Sequence, residues 1–96
     1  MQPTYHIILR IKAGGEWESF GRFDLGSKRA CAEKIFSELH GSTDVHNRLP
    51  IQVDFMEMGN GIPLSLHIIA CTLDELCRNV RIITREVFKL YNLSEL

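Results

Sequence analysis

Apolar and polar residues alternate from the start of the chain. Between Tyr5 and Lys12, Tyr5, Ile7, Leu9 and Ile11 share one face, and His6, Ile8, Arg10 and Lys12 the other. That period of two predicts a half-buried strand. Glu16–Leu25 repeats it, with Trp17, Ser19, Gly21, Phe23 and Leu25 on one face and Glu16, Glu18, Phe20, Arg22 and Asp24 opposite. Ala13-Gly14-Gly15 between the two runs predicts a hairpin, because glycine reaches the positive φ of a tight turn. A two-residue loop at Gly14-Gly15 sets Lys12 against Trp17 and throws the apolar faces out of step. A three-residue loop sets Ile11 against Trp17, Arg10 against Glu18 and Lys12 against Glu16, so this register is expected.

The period then changes. Gly26-Ser27 predicts a helix start with Ser27 as N-cap. Ala32, Ile35, Phe36 and Leu39 form the apolar stripe with Cys31 at its margin, and Gly41 after His40 is the expected stop. Gly41–Leu49 is rich in Gly, Ser, Thr, Asp and Asn; it reads as a loop, the most mobile part of the chain. Ile51–Met58 and Ile62–Cys71 flank Gly59-Asn60-Gly61, a second hairpin signal. Ile51, Val53 and Phe55 are expected to share a face with Leu64, Leu66, Ile68 and Ala70. Pro63, which has no amide hydrogen, is expected at a strand beginning or a sheet edge. The last helix has the clearest signal: Thr72-Leu73-Asp74-Glu75 is a capping box. Leu73, Leu76, Cys77, Val80, Ile83, Val87 and Leu90 follow at helical spacing.

These elements give an α+β chain of order ββαββα. A two-layer sandwich is expected, with a four-stranded, antiparallel-rich sheet and two helices on one face. A right-handed crossover that leaves the second strand and skips one neighbour predicts the strand order 1-2-4-3. The arrangement resembles a circularly permuted ferredoxin-like sandwich in element order, over most of the chain and without a shared motif. An analogy of that kind carries no activity with it.

Composition narrows the class. Ninety-six residues predict a single domain over 1–96. Hydrophobic residues at 45% and charged residues at 24% exclude a disordered chain or a coiled coil as descriptions of the whole. Eleven Lys+Arg against twelve Asp+Glu leave a net charge of -1, so no global field draws the chain to nucleic acid or anionic membrane. No run is long and apolar enough to span a bilayer, and the first residues lack a signal-peptide pattern. The odd set Cys31, Cys71 and Cys77 fits no disulfide framework, which points to a reduced, cytoplasmic protein.

Candidate chemistry is sparse. Under a two-residue turn at the second hairpin, Asp54 and His67 would face one another across the strands, with Cys71 two pleats further on. That trio is the best metal site the chain offers, although it lacks the CxxC or HxxxH spacing of structural zinc. A plain cross-strand Asp54–His67 pair on the surface is the simpler reading, and Cys77 is expected to pack inward beside Leu73 and Val80. No nucleophile has a base at a workable spacing. The glycines match no nucleotide-binding pattern and are turn glycines. No catalytic residue, cofactor or metal ligand is therefore assigned. Arg78, Arg81, Arg85 and Lys89 fall within an arc of about 80° on the last helix. They form a ridge that could follow a phosphate backbone or another anion, or simply be a solvated face.

The remaining surface is the sheet face that two helices on one side would leave open. Ile8, Phe20, Met56 and Ile69 are expected on it among His6, Arg10, Glu18, Arg22, Gln52, Asp54 and His67, with Ile8 opposite Phe20. A contiguous apolar patch there suggests an interface. The expected function is that of a small binding protein, homodimeric through this face, with an unidentified protein or small-molecule partner. A nucleic-acid or anion binder using the last helix is the alternative, and a small enzyme or metal protein a further one.

Overall fold

A computed structural model describes residues 2–44 and 48–92. In chain order the elements are β1 (Thr4–Ala13), β2 (Glu16–Asp24), α1 (Arg29–Ser37), β3 (Ile51–Gly59), β4 (Ile62–Cys71) and α2 (Leu73–Asn92). The ββαββα order follows the sequence periodicity. The sheet is antiparallel throughout, and its order is β2-β1-β3-β4. This corrects the expected 1-2-4-3. The connection through α1 does skip one strand, but that strand is β1 and not β4. The physical reason is burial. β1 brings Tyr5, Ile7 and Leu9, and β3 brings Ile51, Val53 and Phe55, all buried. Central positions remove those side chains from water most completely. β2, which is exposed along most of its length, and β4, which carries Pro63, take the edges.

Both hairpins close with two-residue turns. Ala13 pairs with Glu16 and Lys12 with Trp17, so the three-residue loop expected at the first hairpin is not formed. Gly14 and Gly15 have φ of 60° and 88°, and Asn60 and Gly61 have 55° and 77°. Positive φ at both central residues is the turn whose twist matches paired strands. The out-of-step faces that argued against this turn are repaired further along. Arg10 pairs with Ser19 but Leu9 with Gly21, which leaves Phe20 as an extra residue in a β-bulge. Beyond it Ile7 meets Phe23 on the core side, and Ile8 meets Arg22 and not Phe20.

The second hairpin repeats the device. Met56 pairs with Ser65 but Phe55 with His67, so Leu66 is the extra residue. Because side chains alternate with a period of two, one added residue moves everything beyond it to the other face. His67, Ile69 and Cys71 thus share the covered face with Phe55, Val53 and Ile51, in place of the Ile68 and Ala70 expected there, while Leu66 at the bulge still packs against the core.

The core lies between the sheet and the helices. Ala32 and Ile35 of α1 and Leu76 and Ile83 of α2 close over Ile7, Leu9, Val53 and Phe55, with Phe36, Leu39, Val80 and Val87 packed at the margin. α1 begins one residue later than Ser27 predicts: Lys28 is the N-cap and makes no side-chain capping bond. The turn before it is held by Asp24, whose Oδ1 accepts the Gly26 N–H at 2.9 Å. The α2 capping box forms as the sequence predicts. Glu75 N–H donates to Thr72 Oγ1 at 3.2 Å, and Thr72 N–H to Glu75 Oε1 at 2.9 Å. Its buried line is Leu76, Asn79 and Ile83, so Leu73, Cys77 and Leu90 are exposed. Cys77 therefore does not pack inward.

α1 ends at Ser37, short of Gly41. A side chain on Gly41 would have its Cβ 2.8 Å from the Ala70 carbonyl oxygen, so the glycine is needed for close approach to β4. Part of the loop expected over Gly41–Leu49, residues 45–47, lies outside the described residues. Its beginning is pinned: Ser42 and Ala70 exchange two backbone hydrogen bonds of 2.8 Å.

Candidate functional site on the open sheet face

The uncovered face is built from alternate residues of all four strands. β1 contributes His6, Ile8 and Arg10, and β3 contributes Asp54, Met56 and Met58. Trp17, Ser19 and Arg22 come from β2, and Ser65 and Ile68 from β4. An open depression of about 380 Å³ lies on it, walled by Trp17, Met56, Met58 and Pro63 and by the polar ends of His6, Arg10, Ser19 and Arg22. Trp17 reaches this face because the bulge at Phe20 separates it from Phe23; the Lys12 ammonium stands 5.6 Å from its ring centroid.

Two polar groups on this face are buried, and each has partners. Asp54 accepts a charge-assisted hydrogen bond from Arg10 Nη1 on Oδ2 and one from Ser65 Oγ at 2.6 Å on Oδ1. The carboxylate is almost sealed from solvent while the guanidinium keeps an exposed edge. A buried carboxylate is tolerable only when paired in this way. Among the described residues the other terminal Arg10 nitrogen, Nη2, meets just the Met56 sulfur, a weak acceptor at 3.8 Å.

His6 is the second buried group. Its Nδ1 lies 3.3 Å from Arg22 Nη2, and its Nε2 lies 2.8 Å from Thr4 Oγ1. Arginine can only donate, so Nδ1 accepts and the ring is the neutral form carrying its proton on Nε2, donated to Thr4. Burial first and the Arg22 charge second push the His6 pKa below its ordinary value, against a smaller opposing pull from Asp24. The folded protein thus takes up the His6 proton less readily than the unfolded chain. The contribution of His6 is fully present above the unfolded pKa of about 6.5 and is lost as pH falls through the lowered folded value. Stability measured by urea denaturation is expected to fall between pH 7 and pH 5, and His6→Gln should remove part of that fall. An unchanged pH profile in His6→Gln would show that His6 is not the group responsible.

The structure redistributes the other candidates. Ile69 is 7% exposed and faces the core opposite Val53, so it leaves the expected interface patch, and half-buried Ile68 takes its place on the open face. Phe20 is 50% exposed at the bulge on the sheet edge, without a cross-strand partner. Ile8 and Met56 are half-buried on the open face. Asp54 and His67 do not pair. Asp54 is on the open face, whereas the His67 ring stacks on the covered side with Phe36 and Phe55, centroids 5.9 and 6.2 Å away. Cys71 is buried there too, its thiol donating to the His40 carbonyl at 3.3 Å. Burial, then Glu75, pushes that thiol up to about 11, so it is protonated at neutral pH. The Leu66 bulge thus separates the metal trio. Among the described residues no group of three His, Cys, Asp or Glu side chains is placed to hold a metal ion.

The ridge on α2 is exposed along its length, but Glu86 divides it. Its Oε2 lies 3.0 Å from Arg85 Nε and 3.2 Å from Lys89 Nζ. Those two cations hold the Glu86 carboxyl below its ordinary range. Among the described residues, Arg78 and Arg81 are the ridge cations without such a contact.

Sequence reasoning passed over Asn79. This side chain is fully buried. Its Oδ1 accepts the His40 N–H at 2.7 Å, and its Nδ2 donates to the His40 carbonyl at 2.8 Å. The signal was its position: Asn79 stands three residues after Leu76 and four before Ile83, inside the buried stripe, where a lone amide needs partners.

No known protein family, curated protein or solved structure matches the chain. Among the described residues no helix is long and apolar enough to cross a membrane.

Proposed function

We propose that this is a cytoplasmic binding protein that associates with a second copy of itself through the open sheet face. The observation that carries the reading is the set of half-buried apolar side chains Ile8, Met56, Met58 and Ile68 on a sheet face that no described element covers. Phe20 extends the contact at its rim. Two further points favour a second copy as the occupant. A two-fold interface must be self-complementary, and the patch holds both signs, with Arg22 and Asp24 exposed two residues apart on β2. Four strands of about ten residues present a face of roughly 600 Å². Two such faces would bury on the order of 1,200 Å², the lower end of a specific interface. The three cysteines are free, which suits a reducing compartment.

The test is sedimentation velocity on the wild type and on Ile8→Asp. A charge placed at the middle of a buried apolar contact should shift a wild-type dimer to a monomer at least tenfold more readily, with an unchanged far-ultraviolet spectrum. A wild type that stays monomeric at millimolar concentration would overturn the reading.

A further inference from the structure

The depression on the open face is asymmetric in charge. Among the described residues, two guanidiniums, Arg10 and Arg22, line it and no carboxylate does. Of the acids nearby, Asp54 lies beneath Arg10, paired with it and with Ser65, and Asp24, two residues from Arg22, has its Oδ1 on the Gly26 amide. Arg22 makes no ion pair among the described residues. Its recorded contact is with neutral His6, which leaves most of its five donors free. Arg10 is oriented from below by a buried carboxylate, yet among the described residues its Nη2 meets only a thioether. Arg22 sits opposite Ile8, and Arg10 lies two residues beyond Ile8 on the same strand face. This diagonal spacing of about 7–8 Å lets two long side chains reach one ligand group. The Ser19 hydroxyl, opposite Arg10, adds a neutral donor at the same end. The rest of the wall is Trp17, Met56, Met58 and Pro63.

From this we infer that the depression binds a small organic oxyanion, a carboxylate or phosphate monoester attached to an aromatic or aliphatic body. Arg10 and Arg22 take the charged group, and Trp17 with Met56 and Met58 takes the apolar body. Fork-shaped guanidiniums match the planar or tetrahedral oxygens of such groups, and fixing Arg10 on Asp54 before binding reduces the ordering cost. The inference rests on the open face being a contact surface, but not on self-association. A second copy would close over the mouth of the depression.

Phenyl phosphate and phenylacetate, with benzyl alcohol as the uncharged control, are titrated into nitrogen-15-labelled wild type and Arg22→Gln at pH 7. At least one of the two anions is expected to shift the amides of Arg10, Ser19 and Arg22 in the wild type. The tighter of the two identifies the ligand group. Arg22→Gln should weaken that binding about tenfold or more, the effect of losing one charge-assisted contact. Arg22 is exposed, so the variant should keep its melting temperature. No shift at these amides with either anion at millimolar concentration would overturn the inference. So would equal affinity in Arg22→Gln, or equal binding of benzyl alcohol. Sedimentation of the same samples without ligand separates the two readings: a monomer that binds the anion overturns self-association alone, and a dimer that does not bind overturns the anion site alone.

Discussion

Replacing Phe55 by alanine is expected to lower the free energy of unfolding by about 3–5 kcal/mol. Phe55 is fully buried in the middle of the central strand β3. Its ring lies 5.2 Å from that of Phe36 and 6.1 Å from that of Tyr5, and His67 stacks against it at 6.2 Å. Truncation removes the transfer free energy of the ring and leaves a cavity that β1, β3 and α1 cannot collapse to fill, because their backbones are fixed by the sheet ladder and the helix. The aromatic pairs add roughly 0.5–1.5 kcal/mol each beyond area. A domain of this size has about 5–15 kcal/mol in total, so the variant should be near the limit of folding at 37 °C. Urea denaturation at 25 °C, followed by circular dichroism, measures it. Phe55→Leu should lose clearly less. A loss under about 1 kcal/mol for alanine would mean that the ring is not packed among these neighbours.

The second large effect is expected at Asn79. Changing it to alanine removes the acceptor for the His40 N–H and the donor to the His40 carbonyl, both at short distance in a part-buried setting. The His40 N–H left without its partner costs about 1–3 kcal/mol, and the His40 carbonyl keeps just the weak Cys71 thiol, so the sum is roughly 2–4 kcal/mol. Asn79→Leu fills the space but leaves the His40 N–H unpaired and the His40 carbonyl with the Cys71 thiol alone, so it should not restore stability. The clamp also holds the chain that leads into the Ser42–Ala70 bridge. Amide hydrogen exchange at Ser42 and Ala70 should therefore accelerate in the alanine variant by more than at Ile7 or Val53 in the central strands. A leucine variant as stable as wild type would show that apolar volume, and not the amide clamp, is what position 79 supplies.

Legibility in the sequence followed the range of the interaction. The strands over Tyr5–Lys12 and Ile51–Met58, the two glycine turns and the Thr72–Glu75 capping box were readable, because each depends on residues within a few positions of one another. The helix stripe Ala32, Ile35, Phe36 and Leu39 was readable for the same reason. The start of α1 was misread because a serine at position 27 is a sufficient capping signal locally. Yet Asp24 already holds the turn through Gly26, and the helix begins beyond Lys28. The candidate site was legible in part. The pattern puts His6, Ile8, Arg10, Arg22, Asp54 and Met56 on the open face correctly, but it puts Trp17 and Ser19 opposite and wrongly includes Glu18, His67 and Ile69.

What the sequence determined by itself was the inventory: four strands, two helices, their order, their turns and the faces of the uninterrupted strand β1. Tertiary structure decided the sheet order, the two bulges and the role of Asn79. The bulges show the reason most clearly. At each hairpin the turn residues demand a two-residue loop, and the core demands apolar residues on one face; in a regular ladder these demands conflict by one position. Phe20 and Leu66 absorb the difference, at points fixed by where β1 and β3 need Phe23 and Ile69 across from Ile7 and Val53. A demand set by the neighbouring strand's burial leaves no mark in the local pattern, because the residues that impose it come from another strand and become neighbours only when the sheet forms.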